Sequence, residues 1–191
     1  MKELVFFLEE ISAQRFLEGI LPRLLPSDIH PIYVTFEGKN DLQKNLERKL
    51  REWKRPTLGF IILRDKDHED CMALKARLQM LCAQSGKTNT LVRIACHHLE
   101  SWYIGNLTTV LPLYNINNPL KYQSKRKYRN PDALSYACEE LKKLTHNQYQ
   151  KINGSRRIGA AFPIDHNTNR SDSYRVFIEG IHKVISVTAP K

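Results

Sequence analysis

The chain lacks any long run of apolar residues. Its apolar runs, such as Val5–Leu8 and Phe60–Leu63, fall far short of the roughly 20 residues that a membrane-spanning helix needs. The amino terminus, MKELVFFLEE, has neither the long apolar region nor the cleavage site of a signal peptide. We therefore expect a cytoplasmic protein that does not bind membranes.

Cysteine is scarce and scattered. The four cysteines contain no Cys-x-x-Cys pair, which argues against a structural zinc site and against a redox motif of that type. Their spread favours reduced thiols in a reducing compartment. The positions are Cys71, Cys82, Cys96 and Cys138.

The chain also lacks a linker rich in proline and glycine, an internal repeat and a low-complexity tract. A length of 191 residues fits one compact domain. We predict an α/β core over residues 1–110 and, packed on it, a basic loop and a helical extension over residues 111–191.

Acidic residues are outnumbered. Thirty lysines and arginines face twenty aspartates and glutamates, for a net charge of +10. This balance favours a polyanionic partner, nucleic acid first. The alternative is that the charge serves solubility alone.

Strand and helix patterns alternate over the first hundred residues, which predicts crossover connections and a mainly parallel four-stranded sheet flanked by helices. The predicted strands are 4–8, 32–36, 58–63 and 91–96, and the predicted helices between them are 12–25, 40–53 and 69–84. Beyond them we predict helices over 99–113, 131–144 and 171–187, a loop over 114–130 and a turn-rich segment over 148–170.

The most informative stretch is 58–71, LGFIILRDKDHEDC, in which an apolar strand ends at Asp65-Lys66-Asp67. Residues two apart in a strand point the same way, so we expect Asp65 and Asp67 to project together from its end. Parallel sheets bind ligands at this end of their strands. Paired carboxylates there suit Mg²⁺, Mn²⁺ or Ca²⁺. The alternative is a solvated loop that caps the next helix.

Acidic residues follow the other predicted strands as well. Glu9 and Glu10 follow the first strand, Glu37 the second and Glu100 the fourth. The carboxyl ends of parallel strands share one edge of the sheet. The sequence therefore predicts a carboxylate cluster that binds metal.

These residues carry a family resemblance. An apolar strand that ends in Glu, a helix, and a later strand that ends in Asp-x-Asp resemble the Toprim fold of topoisomerases, primases and the overcoming-lysogenization-defect nucleases. Within that fold, LVFFLEEISAQRFLEGILPRLLP, the later EGK, FIILRDKDHEDCMALKARL, VRIACHHLESWYIGN and KYRNPDAL resemble the Toprim-like bacterial family DUF4276. The resemblance covers most of the chain and implies a Toprim-like, Rossmann-like fold.

The resemblance also implies a chemistry. Glu9, Asp65 and Asp67 would be catalytic residues and metal ligands, and Glu100 would complete a second metal site, with Mg²⁺ or Mn²⁺ as cofactor. The implied function is a metal-dependent nuclease or related phosphodiester-transfer enzyme, in an anti-phage or mobile-element system and beside an ATPase partner. The chain departs from the family pattern at Glu10, where Gly is usual, and at Ala13, where a second acid often stands.

Two other functions remain open. One is a non-catalytic subunit that binds nucleic acid or regulates an ATPase partner, which the missing acid at Ala13 favours. The other is a phosphatase or nucleotide hydrolase that uses the same metal site on a small substrate. His68, His97 and His98 are candidate acids or bases near neutral pH, although a histidine in such a position is more often a surface or packing residue.

Basic residues in the second half predict a nucleic-acid surface, with Tyr122 and Tyr128 stacking on bases. The alternative is a solvated loop. The basic residues are Lys121, Lys125, Arg126, Lys127 and Arg129, which Arg156 and Arg157 would extend.

Overall fold

The structure is a computed structural model that describes residues 2–187, the last of them by its backbone alone. Its centre is a sheet of four parallel strands in the order β2-β1-β3-β4. The predicted α/β architecture and parallel sheet are confirmed. The strands are β1 (Lys2–Leu8), β2 (Ile29–Thr35), β3 (Gly59–Asp65) and β4 (Thr90–Ala95).

Helices cover both faces of the sheet, as crossover connections require. The helices of the first half are α1 (Ile11–Leu24), α2 (Lys39–Glu52) and α3 (Cys71–Gln84). Strand alternation sends Leu4 and Phe6 of β1 into the core on the α1 side, while Val5 and Phe7 enter a second core beneath α2 and α3. Each face thus has its own apolar layer.

The second half completes the core on the α1 side. Its helices are α4 (Glu100–Ile104), α5 (Leu107–Val110), α6 (Pro119–Gln123), α7 (Ala137–Leu144), α8 (Lys151–Ala161) and α9 (Asp172–Val187). Short 3-10 turns lie at 111–114, 126–128, 131–133 and 166–168. Trp102 and Tyr103 are fully buried in this core.

Several predicted boundaries in the second half are wrong. The helix predicted over 99–113 is divided because Asn106 caps a new helix, its side chain accepting a hydrogen bond from the Thr109 amide at 3.1 Å. The segment predicted as a loop over 114–130 contains α6. The helix predicted over 131–144 begins only at Ala137, after a 3-10 turn at Pro131.

The turn-rich segment predicted over 148–170 contains α8, the largest error. The sequence KINGSRRIGAA carries two glycines, which read as helix breakers. In the structure the glycines permit close packing. A Cβ built on Gly159 would lie 2.3 Å from the carbonyl oxygen of Phe16 on α1. Packing against α1 therefore overrides the weak helix propensity of this segment.

Within residues 2–187, no helix is both long enough and apolar enough to cross a membrane.

Candidate functional site

The candidate site lies at the carboxyl ends of β1 and β3. The chain leaves β1 toward β2 on one side and later returns to β3 on the other, so the strand order reverses between β1 and β3. Ligands of open α/β sheets bind in the crevice at such a reversal. Glu9 and Asp65 stand there, and the Glu9 Oε2 atom accepts a hydrogen bond from the Asp65 amide at 3.1 Å.

Glu9 is a buried carboxylate with only 8% of its surface exposed. Burial, followed by the negative charge of Asp65, raises its pKa to about 7. The buried Arg64 guanidinium opposes this shift, with its Nε atom 3.7 Å from Glu9 Oε2. The raised pKa thus reflects the free-energy cost of ionising Glu9 in a buried position beside a second acid.

Asp65 is largely but not fully buried, and it lies on the opposite face of the sheet from Arg64, because neighbouring residues of a strand alternate. Burial raises its pKa to about 6, the His98 side chain opposes the rise, and the charge of Glu100 adds to it. The nearest nitrogen of His98, Nδ1, lies 3.8 Å from Asp65 Oδ2. Two neighbouring carboxyl groups thus have pKa values raised toward neutrality, which is common at functional sites.

Asp67 lies beyond the strand, so strand alternation does not place it as we predicted. Its φ of 52° is left-handed, as is that of His97 at 60°. The two loops are joined, since the Asp67 amide donates to the His97 carbonyl at 2.9 Å and His97 Nδ1 bonds the Asp67 carbonyl at 2.8 Å. Asp67 nevertheless reaches the same histidine as Asp65, with its Oδ1 atom 3.8 Å from His98 Nδ1. Its Oδ2 atom pairs with Lys39 Nζ at 3.0 Å.

Glu100 begins α4 and is completely buried. The Tyr149 hydroxyl donates a hydrogen bond to Glu100 Oε1 at 2.8 Å, whereas Oε2 is buried without a hydrogen-bond partner. Leaving a buried carboxylate oxygen without a partner is costly. We call Glu9, Asp65, Asp67 and Glu100 the acid edge.

Lys151 joins the acid edge from α8. Its Nζ atom lies 2.5 Å from Glu10 Oε2, and the charges of Glu100 and Asp65 also raise its pKa. A lysine in the first turn of a helix opposes the helix dipole, so the acids hold it there. The close crossing of α1 and α8 at Gly19 and Gly159, near the other end of α8, packs this helix against α1.

Lys151, Tyr149 and Arg64 were not among the predicted site residues. Lys151 and Tyr149 lie in the segment predicted as turns, so no strand-end pattern marked them. Arg64 had a signal, since a charged residue inside an apolar strand needs a buried partner. Its guanidinium pairs with the half-buried Glu69, whose Oε1 atom lies 2.5 Å from Arg64 Nη2.

The remaining predicted acids have smaller roles. Glu37 is exposed at the rim of a cleft of about 630 Å³ that opens beside the acid edge. Glu10 and Lys151 also line this cleft. Ala13 is buried in the core on the α1 side, so no carboxylate from α1 reaches the acid edge at that position.

The donor chemistry of the acid edge fits a hard divalent cation, which prefers carboxylate oxygens. The unpartnered Oε2 atom of Glu100 fits as well. The present side-chain positions fit less well, because among residues 2–187 no three His, Cys, Asp or Glu side chains converge closely enough to hold a metal. Binding would therefore require the carboxylates to draw together.

The predicted basic residues lie on the surface but do not act alike. Lys127 Nζ is paired with Glu140 at 2.5 Å, above the buried ring of Tyr128, whose hydroxyl also donates to Glu140. The prediction that Tyr128 stacks on bases is wrong, because only 1% of this residue is exposed. Exposed positions are taken by Lys121, Lys125, Arg126, Arg129, Arg156 and Arg157.

The chain was compared with family models, curated proteins and solved structures. Residues 8–182 match the model of a family described as Domain of unknown function (DUF4276). The chain belongs to the DUF4276 family. Searches of the curated proteins and of the solved structures found no match. The predicted DUF4276 membership is thus confirmed, while the further likeness to Toprim enzymes stays a prediction.

The DUF4276 match spans both halves of the chain. It includes Glu9 near the end of β1, the acids of β3 and α4, and Lys151 on α8. All residues of the acid edge, with the α8 residues that contact them, thus lie inside the DUF4276 region.

Proposed function

We propose that the protein is a metal-dependent nuclease, or a related phosphodiester-transfer enzyme, that acts on nucleic acid in the cytoplasm. The observation that carries the proposal is the acid edge at the strand-order reversal. There, two neighbouring carboxyl groups have raised pKa values, and Glu100 keeps a buried oxygen without a partner. A divalent cation would stabilise the ionised forms of these carboxyl groups and offset the missing partner of the Glu100 oxygen.

Glu9, Asp65 and Asp67 would hold the ion, and Glu100 would complete a second metal site. Mg²⁺ or Mn²⁺ supplies charge stabilisation at phosphoryl oxygens and lowers the pKa of bound water. His98 places its Nδ1 atom 3.8 Å from a carboxylate oxygen of both Asp65 and Asp67, and the Asp65 carboxylate raises the pKa of this histidine. Lys151 offers an ammonium group beside the same acids for a substrate phosphate.

The shape of the surface supports a long substrate over a small one. The cleft beside the acid edge is an open depression of about 630 Å³. A phosphatase or nucleotide hydrolase would be expected to enclose its substrate in a narrower pocket. The net charge of +10 also favours a polyanion.

The test is cleavage of plasmid, linear and single-stranded DNA and of RNA by purified protein with Mg²⁺ or Mn²⁺. We expect Asp65→Asn and Glu9→Gln each to reduce the rate at least about 100-fold, because each removes a metal ligand. Direct Mn²⁺ binding should weaken in parallel. The matched control is Glu139→Gln, which removes an exposed carboxylate of α7 that has no ion pair in the described chain. Cleavage that persists unchanged in Asp65→Asn would refute the assignment.

One observation favours a second function, a non-catalytic subunit that binds nucleic acid or regulates an ATPase partner. Cationic side chains of the chain itself lie beside these acids, where a metal ion would otherwise be needed to balance their charge. The pairs are Lys39 with Asp67, Lys151 with Glu10, and Arg64 with Glu9. Under this alternative, nucleic acid binds with steep salt dependence but no metal yields product. Glu9→Gln would then leave binding unchanged.

A further inference from the structure

Three arginines converge on a cleft of about 700 Å³ in the second half of the chain. The segment before α9 and the first turn of α9 form one side of it, and the segment after α6 forms the other. We call it the arginine cleft. Its lining residues are Ser124, Arg129, Asn130, Arg170, Asp172 and Arg175.

The positive charge of the arginine cleft is only partly neutralised. Asp172 is the single acid that lines it, and this carboxylate is paired with Arg175. Arg129 makes no hydrogen bond through its side chain and no ion pair with the residues that the structure describes. Two guanidinium groups, those of Arg129 and Arg170, therefore face the cleft without a carboxylate partner.

Arg170 is held in place rather than loosely solvated. Its guanidinium donates to the carbonyl of Gln123, and its amide donates to the Gly105 carbonyl at 3.1 Å. Gln123 is itself buried, and its side-chain oxygen accepts from the Leu107 amide at 2.5 Å. The exposed guanidinium is thus restrained by a hydrogen bond to a buried residue, which lowers the entropic cost of binding an anion.

A second depression, of about 360 Å³, continues the arginine cleft as a groove along β4, where Asp132 lines it together with Lys75 and Arg93. The two share Asn130 and Asp172, and the second extends to Cys96 and Cys71. Cys96 directly follows β4, and Cys71 begins α3 after the loop that carries Asp67. A ligand in the arginine cleft can therefore extend along this groove as far as Cys96, at the carboxyl end of β4.

We propose that the arginine cleft binds the phosphate backbone of nucleic acid and leads it along the groove to the carboxyl end of β4. Guanidinium groups bind phosphate through two parallel hydrogen bonds, and fixed arginines do so at low entropic cost. The direction of the path rests on the proposed function, whereas the phosphate site stands on the arginines alone. The inference adds Arg170 and Arg175 to the predicted surface and removes Lys127, whose charge Glu140 neutralises.

The main test is fluorescence anisotropy of labelled single-stranded DNA, duplex DNA and RNA, measured without divalent metal so that nothing is cleaved. Arg129→Glu reverses a charge and breaks no hydrogen bond or ion pair of the described chain. We expect it to weaken binding about tenfold or more and to reduce the slope of log affinity against log salt by about 1. The three probes show which nucleic acid the cleft prefers.

A second variant should strengthen binding. Asp172→Asn removes the only acid of the cleft and releases Arg175, so we expect tighter binding and a steeper salt slope. Because misfolding would weaken binding rather than strengthen it, a gain in affinity cannot be attributed to a loss of stability. The matched control is the double variant Lys44→Ala, Lys54→Ala, which removes two exposed cations remote in sequence from the cleft and changes the net charge by the same amount as Arg129→Glu.

The proposal is wrong if the control double variant weakens binding as much as Arg129→Glu, because net charge alone would then explain the affinity. It is also wrong if polyglutamate binds as tightly as nucleic acid and responds equally to both cleft variants, since the cleft would then serve an acidic protein. The proposed function fails separately. If the wild-type protein cleaves nothing but Arg129→Glu still weakens binding, the phosphate site stands without the nuclease.

Discussion

Glu9 lies in a buried position that disfavours its ionised form. The carboxyl group is buried next to Asp65, and its pKa rises from 4.5 to about 7. A carboxyl group with a raised pKa in the folded state stabilises the fold below its unfolded pKa. That contribution disappears as pH rises from about 4.5 through about 7.

We therefore expect Glu9→Gln to be more stable than the wild-type protein at pH 8 without divalent metal. The difference should be on the order of 2 kcal/mol and should vanish near pH 4. Urea unfolding across this pH range measures it. Glu139→Gln, at an exposed site, should show no comparable pH-dependent gain. A Glu9→Gln protein that is less stable at pH 8 would contradict the proposed burial cost.

At the residue scale, sequence reasoning located the acids but not their partners. Glu9, Asp65 and Glu100 were found because each follows a recognisable apolar strand. Lys151 and Tyr149 lie about 50 residues or more further along the chain, and only tertiary packing brings them to the same place. Asp67 was predicted from strand alternation, but it lies beyond the strand in a left-handed turn that the sequence pattern does not indicate.

The helix α8 shows how an element forms against its local propensity. Helix propensity alone favours alanine over glycine by about 1 kcal/mol, so Gly159 appears unfavourable in isolation. Its contact with α1 reverses the preference, because any Cβ at this position would meet the Phe16 carbonyl at 2.3 Å. Such backbone contacts leave no trace in hydrophobic periodicity, which is why this helix was not predicted.

We expect Gly159→Ala to lower the free energy of unfolding by about 2 kcal/mol, since overpacking outweighs the propensity gain. Thermal or urea unfolding provides the measurement. Asn153→Ala is the control, since it changes an exposed residue of the same helix and should stay within about 0.5 kcal/mol of the wild type. A stabilising effect of Gly159→Ala would show that the two helices are not in close contact.

At the scale of the whole molecule, one apolar core is shared by both halves of the chain. It extends from Leu4 and Phe6 of β1 to Phe162 before α9 and to Phe177 and Ile181 within α9. The parallel sheet was predictable because its strands and crossover helices are regular and local. The packing of the second half was not, because its helices are short and their contacts are distant in sequence.

We expect a chain that ends at residue 110 not to fold by itself. The loss of Phe162, Tyr174 and Phe177 uncovers apolar surface on the α1 side of the sheet. Near-UV circular dichroism should show no fixed aromatic signal for this fragment. As a control, addition of residues 111–191 as a separate fragment should restore the signal. Native-like dichroism of the isolated 1–110 fragment would contradict this prediction.

The position of Tyr149 and Lys151 in the chain has a consequence for the timing of synthesis. A ribosome releases Glu9, Asp65 and Glu100 before it makes these two residues, and the delay is on the order of seconds. Until then, Glu100 lacks its tyrosine donor and the acids lack the lysine of α8. The acid edge is therefore completed late, and a chain whose translation stops early leaves the ribosome with an unfinished site.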